Sequence, residues 1–400
     1  MKKILVISNY WHFPSEKSSS RYNTVIELLS SNNFDVELIT SDFRHITKTT
    51  RNFDDGIINN YSYKISLLHE PGYYKNISIK RMISHRIFAK NVIKYLKTMD
   101  DVDYIYSFVP SLSLNKLVTK FCKKNNIKHI IDILDLWPEA FKMAINVPII
   151  SNIIFYPMKK MANYIYSNAD EIIAVSQTYV DRALRVNKNL KSGHSIYIGI
   201  DLKFFDKCKK ENAINYSDDL IRIAYIGTLG HSYDIKCVID AIKLLNDKGI
   251  NKTKFIIMGD GPLKSEFENY ANEKKIDCEF TGNLDYSKMV GLLCSCNICI
   301  NPIVGTSVST IINKVCDYAA SGLPVINTQN CEEYKNLINK YRAGFNCKNG
   351  DVKEIAEKLE ILIGNKQLRT ELGNGNRKLA IEKFDRNITY NEVIKVINNL

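Results

Sequence analysis

Short apolar runs alternate with amphipathic stretches along the whole chain. KILVIS (3–8) is followed by a helical periodicity at 21–31 and then by DVELIT (35–40). VDYIYSF (102–108), KHIIDIL (128–134) and DEIIAVS (170–176) continue the series, each parted from the next by a helical pattern. Such an alternation is that of parallel strands covered by helices on both faces of the sheet. At 207–219 it gives way to KCKKENAINYSDD, polar and without apolar period, which reads as an interdomain linker. The pattern then restarts with IRIAYIG (221–227), KFIIMG (254–259), CEFTG (278–282), ICINPI (298–303) and LPVINT (323–328), helices between them. The expected fold is α/β: two doubly wound, Rossmann-like parallel-sheet domains, 1–205 and 206–385, facing a cleft. A last helix at 386–400 is expected to pack back on the first domain. In such sheets ligands sit at the carboxyl ends of strands near helix N-termini, so that cleft is the expected site.

The 400 residues are 45% hydrophobic and 24% charged, an ordinary globular balance. Ten cysteines are scattered singly except in CSCNIC (294–299). That cluster reads as a helix end and a buried strand, because Ile298 and Ile300 interleave with the sulfurs and no fourth metal ligand stands at the usual spacing. The N-terminal apolar run is too short for a signal peptide, and no stretch approaches the roughly 20 apolar residues of a membrane span. A cytoplasmic protein is expected.

The net charge of +12 favours polyanions: nucleotides, nucleic acid or an acidic bilayer. The segment 75–97 carries seven Lys or Arg and no acid, with Ile79, Met82, Ile83, Ile87, Phe88, Val92, Ile93 and Leu96 at helical spacing. Two readings stand side by side. It is a basic amphipathic helix lying on an anionic membrane, or a packed helix with a solvated basic face. NIIFYPMKKMANYIY (152–166) adds aromatic and basic residues and tilts the balance towards the inner face of the cytoplasmic membrane.

Three loops of the second domain end strands and open helices. They are GTLGHSYD (227–234), GDGP (259–262) and NPIVGTSVSTIINK (301–314). Free N–H groups and the positive helix end make such loops seats for a diphosphate, whereas any single one is equally a tight turn with a cap. The loop after the first strand, 8–21, holds no Gly, so a nicotinamide dinucleotide fingerprint is absent. No phosphate-binding G-x-x-x-x-G-K-[ST] occurs anywhere either.

The order of IYIGIDLKFF, YIGTLG, FIIMGDGP, FTGNLDYSKMVGLL, CNICINP and DYAASGLPVIN resembles the nucleotide-sugar half of family 4 retaining glycosyltransferases of GT-B fold. SNYWHFPSE, DVELIT and DILDLWPEA resemble the branch that builds bacterial surface polysaccharides (O-antigen, lipopolysaccharide, capsule), aminosugar transferases among them. The resemblance implies transfer of a sugar from a nucleoside-diphosphate donor, UDP by expectation, to a lipid-linked (polyprenyl-diphosphate-linked) or oligosaccharide acceptor, with no metal. It carries family roles onto particular residues. The second of two family acids falls on Asp317, expected at the ribose, while the first falls on Ser309, which is not acidic. Lys314, three before Asp317, is expected at the diphosphate. Gly227, Thr228, Gly230, His231, Gly259, Ser309 and Thr310 complete the donor loops, and Gly282, Asn283 and Leu284 are expected at the base. Where many members carry Arg and Lys, this chain has Thr228 and Tyr233, so the diphosphate charge falls to Lys314, to backbone N–H groups and to Arg21 from the other domain.

Asp135, between Leu134 and Leu136 and before Trp137-Pro138, is expected to orient the acceptor hydroxyl or to cap the next helix. His12 and Glu16 are further acceptor-side candidates. Two other classes stay open on sequence: a non-catalytic nucleotide- or nucleic-acid-binding module, and a nucleotide-sugar epimerase of the same architecture. No RRM-, KH- or helix-turn-helix-like pattern supports nucleic acid.

Overall fold

A computed structural model describes residues 1–13, 20–51, 61–76, 78–142, 152–305 and 310–400. They form two compact units, Met1–Ile196 with Tyr390–Leu400, and Tyr197–Thr389.

The first unit is built on β1 (Lys2–Ser8), β2 (Phe34–Ser41), β5 (Lys64–Leu68), β6 (Tyr104–Val109), β7 (Lys128–Ile133), β8 (Glu171–Ala174) and β9 (His194–Ser195), with a short hairpin of β3 (Phe43–Arg44) and β4 (Thr49–Thr50). Its seven-stranded sheet runs β5-β2-β1-β6-β7-β8-β9, every pair parallel. The apolar run of β1 explains the two-sided cover. Ile4 and Val6 enter one core and Leu5 and Ile7 another, all four fully buried.

The second unit repeats the plan with β10 (Ile221–Ile226), β11 (Thr253–Met258), β12 (Cys278–Gly282), β13 (Ile298–Asn301), β14 (Val325–Asn327) and β15 (Gly344–Asn346), in parallel order β12-β11-β10-β13-β14-β15. Ala224 and Ile226 face one core and Ile223 and Tyr225 the other. In each unit the strand order reverses beside the first strand, between β1 and β6 and between β10 and β13. Loops leaving those strands part in opposite directions and leave a crevice, which is where such sheets take ligands.

Two boundaries differ from the sequence expectation. The division falls at Ile196 and Tyr197 rather than at 205, because the helix Leu202–Glu211 buries Leu202, Phe205 and Cys208 in the second unit's core. Asp201 caps that helix by accepting from Phe204 N–H at 3.0 Å, so the first part of the expected linker is helical. At the other end, the segment that joins the first unit begins at Tyr390 rather than at 386. Tyr390, Val393, Val396 and Ile397 bury in the same core as Ile4 and Val25. Cys296 and Cys299 are buried in the second unit's apolar core, and all ten thiols are free.

The helix Ile79–Leu96 divides the two readings of the basic segment between its halves. Ser78 caps it, and Phe88, Ala89, Val92 and Leu96 are buried. Ile79, Met82 and Ile83 in its first turns remain 76%, 45% and 48% exposed. Among the described residues no helix is long and apolar enough to cross a membrane.

The returning C-terminal segment makes a test of the unit assignment. Truncation after Thr389 removes the buried side chains of Tyr390, Val393, Ile394, Val396 and Ile397, and a fully buried apolar side chain is worth about 1.5–3 kcal/mol. A two-step urea unfolding curve should show the first unit's transition shifted to lower denaturant and the second unit's unmoved.

Candidate functional site

The end of β10 and the crossover after β13 lie on either side of the strand-order reversal, and they bring Gly227 and Lys314 together. Gly227 has φ +130°, and a Cβ there would lie 2.6 Å from Lys314 Nζ. Glycine is the residue that leaves room for the amine. Below it the backbones are equally close: a Cβ on Gly259 (φ +150°) would stand 1.9 Å from the Gly227 carbonyl oxygen. Leu229 N–H donates to Asp260 O at 2.9 Å and Leu263 N–H to Leu229 O at 3.0 Å, which fastens the first loop to the second. Gly259 in turn bridges Gly282, where β12 ends.

Lys314 opens the helix Lys314–Ser321. Its Nζ is buried, with no hydrogen-bond partner among the described residues, 3.7 Å from the ring centre of Tyr233 and 4.1 Å from that of Tyr225. Burial pushes the amine well below its usual pKa. The two rings supply cation–π attraction but no counter-charge. Tyr225 is held by its hydroxyl, which donates to Thr228 O at 2.7 Å, and Tyr233 by its N–H, which donates to Gly230 O at 3.0 Å. Thr228 and His231 are exposed and Gly230 half-buried at the tip of this loop. Asp234 caps the helix Ile235–Asp247 by accepting from Cys237 N–H at 3.2 Å, so the positive end of that helix lies just past the loop.

Asp317, one turn beyond Lys314, faces different neighbours. Tyr286 Oη donates to Asp317 Oδ1 at 2.8 Å, and Tyr286 stacks on Phe204 with ring centres 5.9 Å apart. Surrounding atoms desolvate the carboxyl and push its pKa up to about 6, against the opposing effects of the Tyr286 hydrogen bond and the Arg386 charge. Asn283 is exposed and Leu284 half-buried against the core after β12, and the Thr310 carbonyl accepts from Gln329 Nε2 at 2.6 Å. Ser309 and Glu16 lie outside the described residues.

In the first unit a cavity of about 370 Å³ opens at the carboxyl ends of β1, β6 and β7, lined among others by Tyr10, His12, Arg44, Arg81, Asp135 and Trp137. It brings His12 and Asp135 together. Asp135 Oδ2 accepts from Trp137 Nε1 at 3.1 Å; burial raises its pKa, while that bond and the Arg81 charge oppose the rise. Arg21 is a correction. It was expected to reach the diphosphate, but its guanidinium is buried and ion-paired with Asp132 inside the first unit. Nε donates to Oδ2 at 2.8 Å, Nη2 to Oδ1 at 3.1 Å and Nη1 to Ile196 O at 2.7 Å. Tyr106 Oη donates to the same carboxylate at 2.6 Å, and the Tyr390 ring lies 4.9 Å from the guanidinium carbon. A buried pair of this kind is a structural fixture, and removing one partner leaves the other charge uncompensated.

Residues 221–365 match the family model described as Glycosyl transferases group 1. The second unit carries a glycosyltransferase domain. The capsular polysaccharide biosynthesis glycosyltransferase CapM of Staphylococcus aureus is 27% identical over 260 residues, 61% of this chain and 65% of that protein. A Campylobacter jejuni enzyme, named as an alpha-1,4-N-acetyl-D-galactosaminyltransferase acting on a diNAcBac-PP-undecaprenol-linked disaccharide, is 23% identical over 60% of this chain and 62% of its own. The matches thus span somewhat less than two thirds of those two relatives. The crystal structure of Anabaena Alr3699/HepE in complex with UDP superposes with TM-score 0.68 over 100% of both chains at 13% identity. That likeness shows the GT-B fold.

Tyr286, Tyr225 and the Arg21–Asp132 pair were not singled out in the sequence. Only Tyr233, which stands where the family resemblance implies Lys, hinted at the cage around Lys314.

The raised Asp317 pKa has a sign that can be checked. The folded protein holds this proton more tightly than the unfolded chain, so the associated stability is full below the usual carboxyl value of 3.8 and is lost as pH rises through about 6. Asp317→Asn removes that dependence. Thermal unfolding of variant and wild type across pH 4–7 should show the variant gaining relative stability as pH rises.

Proposed function

We propose that the protein transfers a sugar from a nucleoside-diphosphate donor, UDP by preference, to a hydroxyl of a lipid-linked or oligosaccharide acceptor, with the anomeric configuration kept. The donor sugar class favoured by the Campylobacter relative is an N-acetylated hexosamine. The observation that carries the reading is Lys314. An amine with no hydrogen-bond partner among the described residues, closed off over two tyrosine rings at the reversal point of a parallel sheet and beside a glycine, is a socket for an anion.

In this reading the diphosphate lies against the loop 227–231, where Lys314 and the N-terminus of the helix Ile235–Asp247 offset its charge. Asp317, oriented by Tyr286, accepts from the ribose hydroxyls, and the turn at 282–284 meets the base. As the bond from the anomeric carbon to the β-phosphate oxygen breaks, negative charge grows on the diphosphate, and Lys314 stabilises it most at that moment. The acceptor oxygen bonds to the same face of that carbon, and its proton passes to the departing phosphate oxygen. Asp135 orients the acceptor hydroxyl, with His12 in the same cavity. No divalent metal takes part, because the lysine supplies the positive charge. The first unit works at the inner face of the cytoplasmic membrane in the biosynthesis of a cell-surface polysaccharide. The exposed Ile79, Met82 and Ile83 beside Lys80 and Arg86 support that placement.

Turnover of a panel of UDP-sugars, read as UDP released with and without acceptor, tests the reading. Lys314→Ala should lower kcat roughly 10²–10³-fold, the usual effect of deleting one transition-state donor. Asp317→Ala should weaken donor binding about 10–100-fold, as loss of hydrogen bonds to a charged group does. Activity should persist in excess EDTA. Unchanged turnover in Lys314→Ala, or activity abolished by EDTA and restored by a divalent cation, contradicts the proposal.

A further inference from the structure

Three neighbouring strands of the second unit end on asparagine: ICIN in β13, VIN in β14 and GFN in β15. The parallel register sets Asn301 beside Asn327 and Asn327 beside Asn346. Side chains in register share a face of the sheet, so the three amides form a row across the strand ends. Asn301 Nδ2 donates to Asn327 Oδ1 at 2.9 Å, and Asn327 Nδ2 to Asn346 Oδ1 at 2.9 Å. Gln329 joins the row from the chain just past β14. Its N–H donates to Asn327 Oδ1 at 3.1 Å, and its Oε1 accepts from Asn301 Nδ2 at 3.3 Å. Asn301, Asn327 and Gln329 are fully buried.

Stability alone does not account for such a row. Asn301 Oδ1 is buried with no hydrogen-bond partner among the described residues, a cost that apolar side chains of similar size would not carry. What amides add is direction, since each bond fixes an angle as well as a distance. Here the bonds lead to both walls of the Lys314 cage. Gln329 Nε2 donates to Thr310 O at 2.6 Å, four residues before Lys314. Thr328 N–H donates to Asn301 O at 3.1 Å, and Thr328 Oγ1 accepts from Ile303 N–H at 2.9 Å. Ile303 in turn bridges Tyr233. Val304 N–H to Ser232 O at 3.0 Å and Asp234 N–H to Pro302 O at 3.1 Å flank that bridge. One arm of the network therefore reaches the chain that leads into the helix Lys314–Ser321. The other reaches a ring on which the amine rests.

We infer that Gln329 is a positioning residue for Lys314: seated on the asparagine row, it holds the chain before the lysine's helix so that the amine lies against Tyr225 and Tyr233. The inference rests on the transferase reading only for what the amine does; the footing itself belongs to the second unit. Without the bond to Thr310 the segment before Lys314 loses this tie, and water reaches the amine between the two rings. The amine then titrates nearer its ordinary range, and a diphosphate meets a cation that is no longer fixed.

The test is competitive acetylation of the full chain with acetic anhydride across neutral and alkaline pH. Lys314 is followed by peptide mass spectrometry, and UDP affinity is measured on the same samples. In the wild type the Lys314 profile should have a midpoint below that of exposed lysines and a low limiting rate. Gln329→Met keeps the side chain's length and removes its donor. It should raise that midpoint by about one pH unit or more, as solvation of a buried amine does. It should also weaken UDP about tenfold, the order expected when a charge-assisted contact is displaced. Gln329→Asn, one methylene short of Thr310, should move both readouts in the same direction and serves where the methionine variant does not fold. Leu359→Ala opens a cavity in the apolar core of the same unit. It should lower the unfolding temperature and leave the Lys314 profile where it is. An unmoved profile in the folded Gln329 variants, or an equal shift in Leu359→Ala, overturns the inference. A shifted profile with UDP affinity unchanged, or with no UDP bound by the wild type, upholds the footing and places the failure in the transferase reading.

Discussion

An amine taken out of water without a counter-charge is the constraint around which the second unit is arranged. Lys314 has two aromatic faces for company and, among the described residues, no hydrogen-bond partner, and such a group is costly in either protonation state unless an anion arrives. Its position follows from the fold. The chain leaves β10 by a glycine at positive φ and leaves β13 towards the helix that Lys314 opens, and these two departures flank the reversal in strand order. The close stacking of Gly227 on Gly259 lowers the loop enough for the amine to sit above it. Tyr233 supplies one of the two rings against which the amine rests, and the cation itself comes from the helix after β13.

The first unit uses the same geometry for another purpose. Its cavity also opens where strand order reverses, with Tyr10 and His12 following β1, Pro110 following β6, and Asp135 and Trp137 following β7. Beside it, the Arg21–Asp132 pair ties the helix Arg21–Ser31, the strand β7, the carbonyl of Ile196 and the returning Tyr390 into one body. That pair holds a wall of the unit in place.

Much of the fold was legible because buried parallel strands must be apolar on both faces, and runs such as KILVIS and IRIAYIG admit few other readings. Lys314 and Asp317 drew notice through the family resemblance, by their place before a Gly-x-Pro-Val strand, and the roles given to them are the proposal made above. Their partners were not. Tyr286 lies 31 positions from Asp317 and reaches it only through the crossovers after β12 and β13. Arg21 looked like a free loop-edge cation because its partner, Asp132, hides inside an apolar strand 111 positions away. The linker was misplaced for a local reason: polar residues dominate 207–219, yet Leu202, Phe205 and Cys208 fall on one helical face and carry that helix into the core. Pairing across the sheet, more than local propensity, decided these cases.

The central claim is that Lys314 is the group that meets the donor's diphosphate. Burial holds the free amine below its usual pKa, and a bound diphosphate must raise that pKa again, so binding should draw a proton from solvent. Calorimetric titration of UDP at pH 8 in two buffers of different ionisation enthalpy measures this directly. The account predicts net proton uptake by the wild-type chain, and its loss together with much weaker binding in Lys314→Met. Equal UDP affinity and equal proton balance in the two proteins would contradict it.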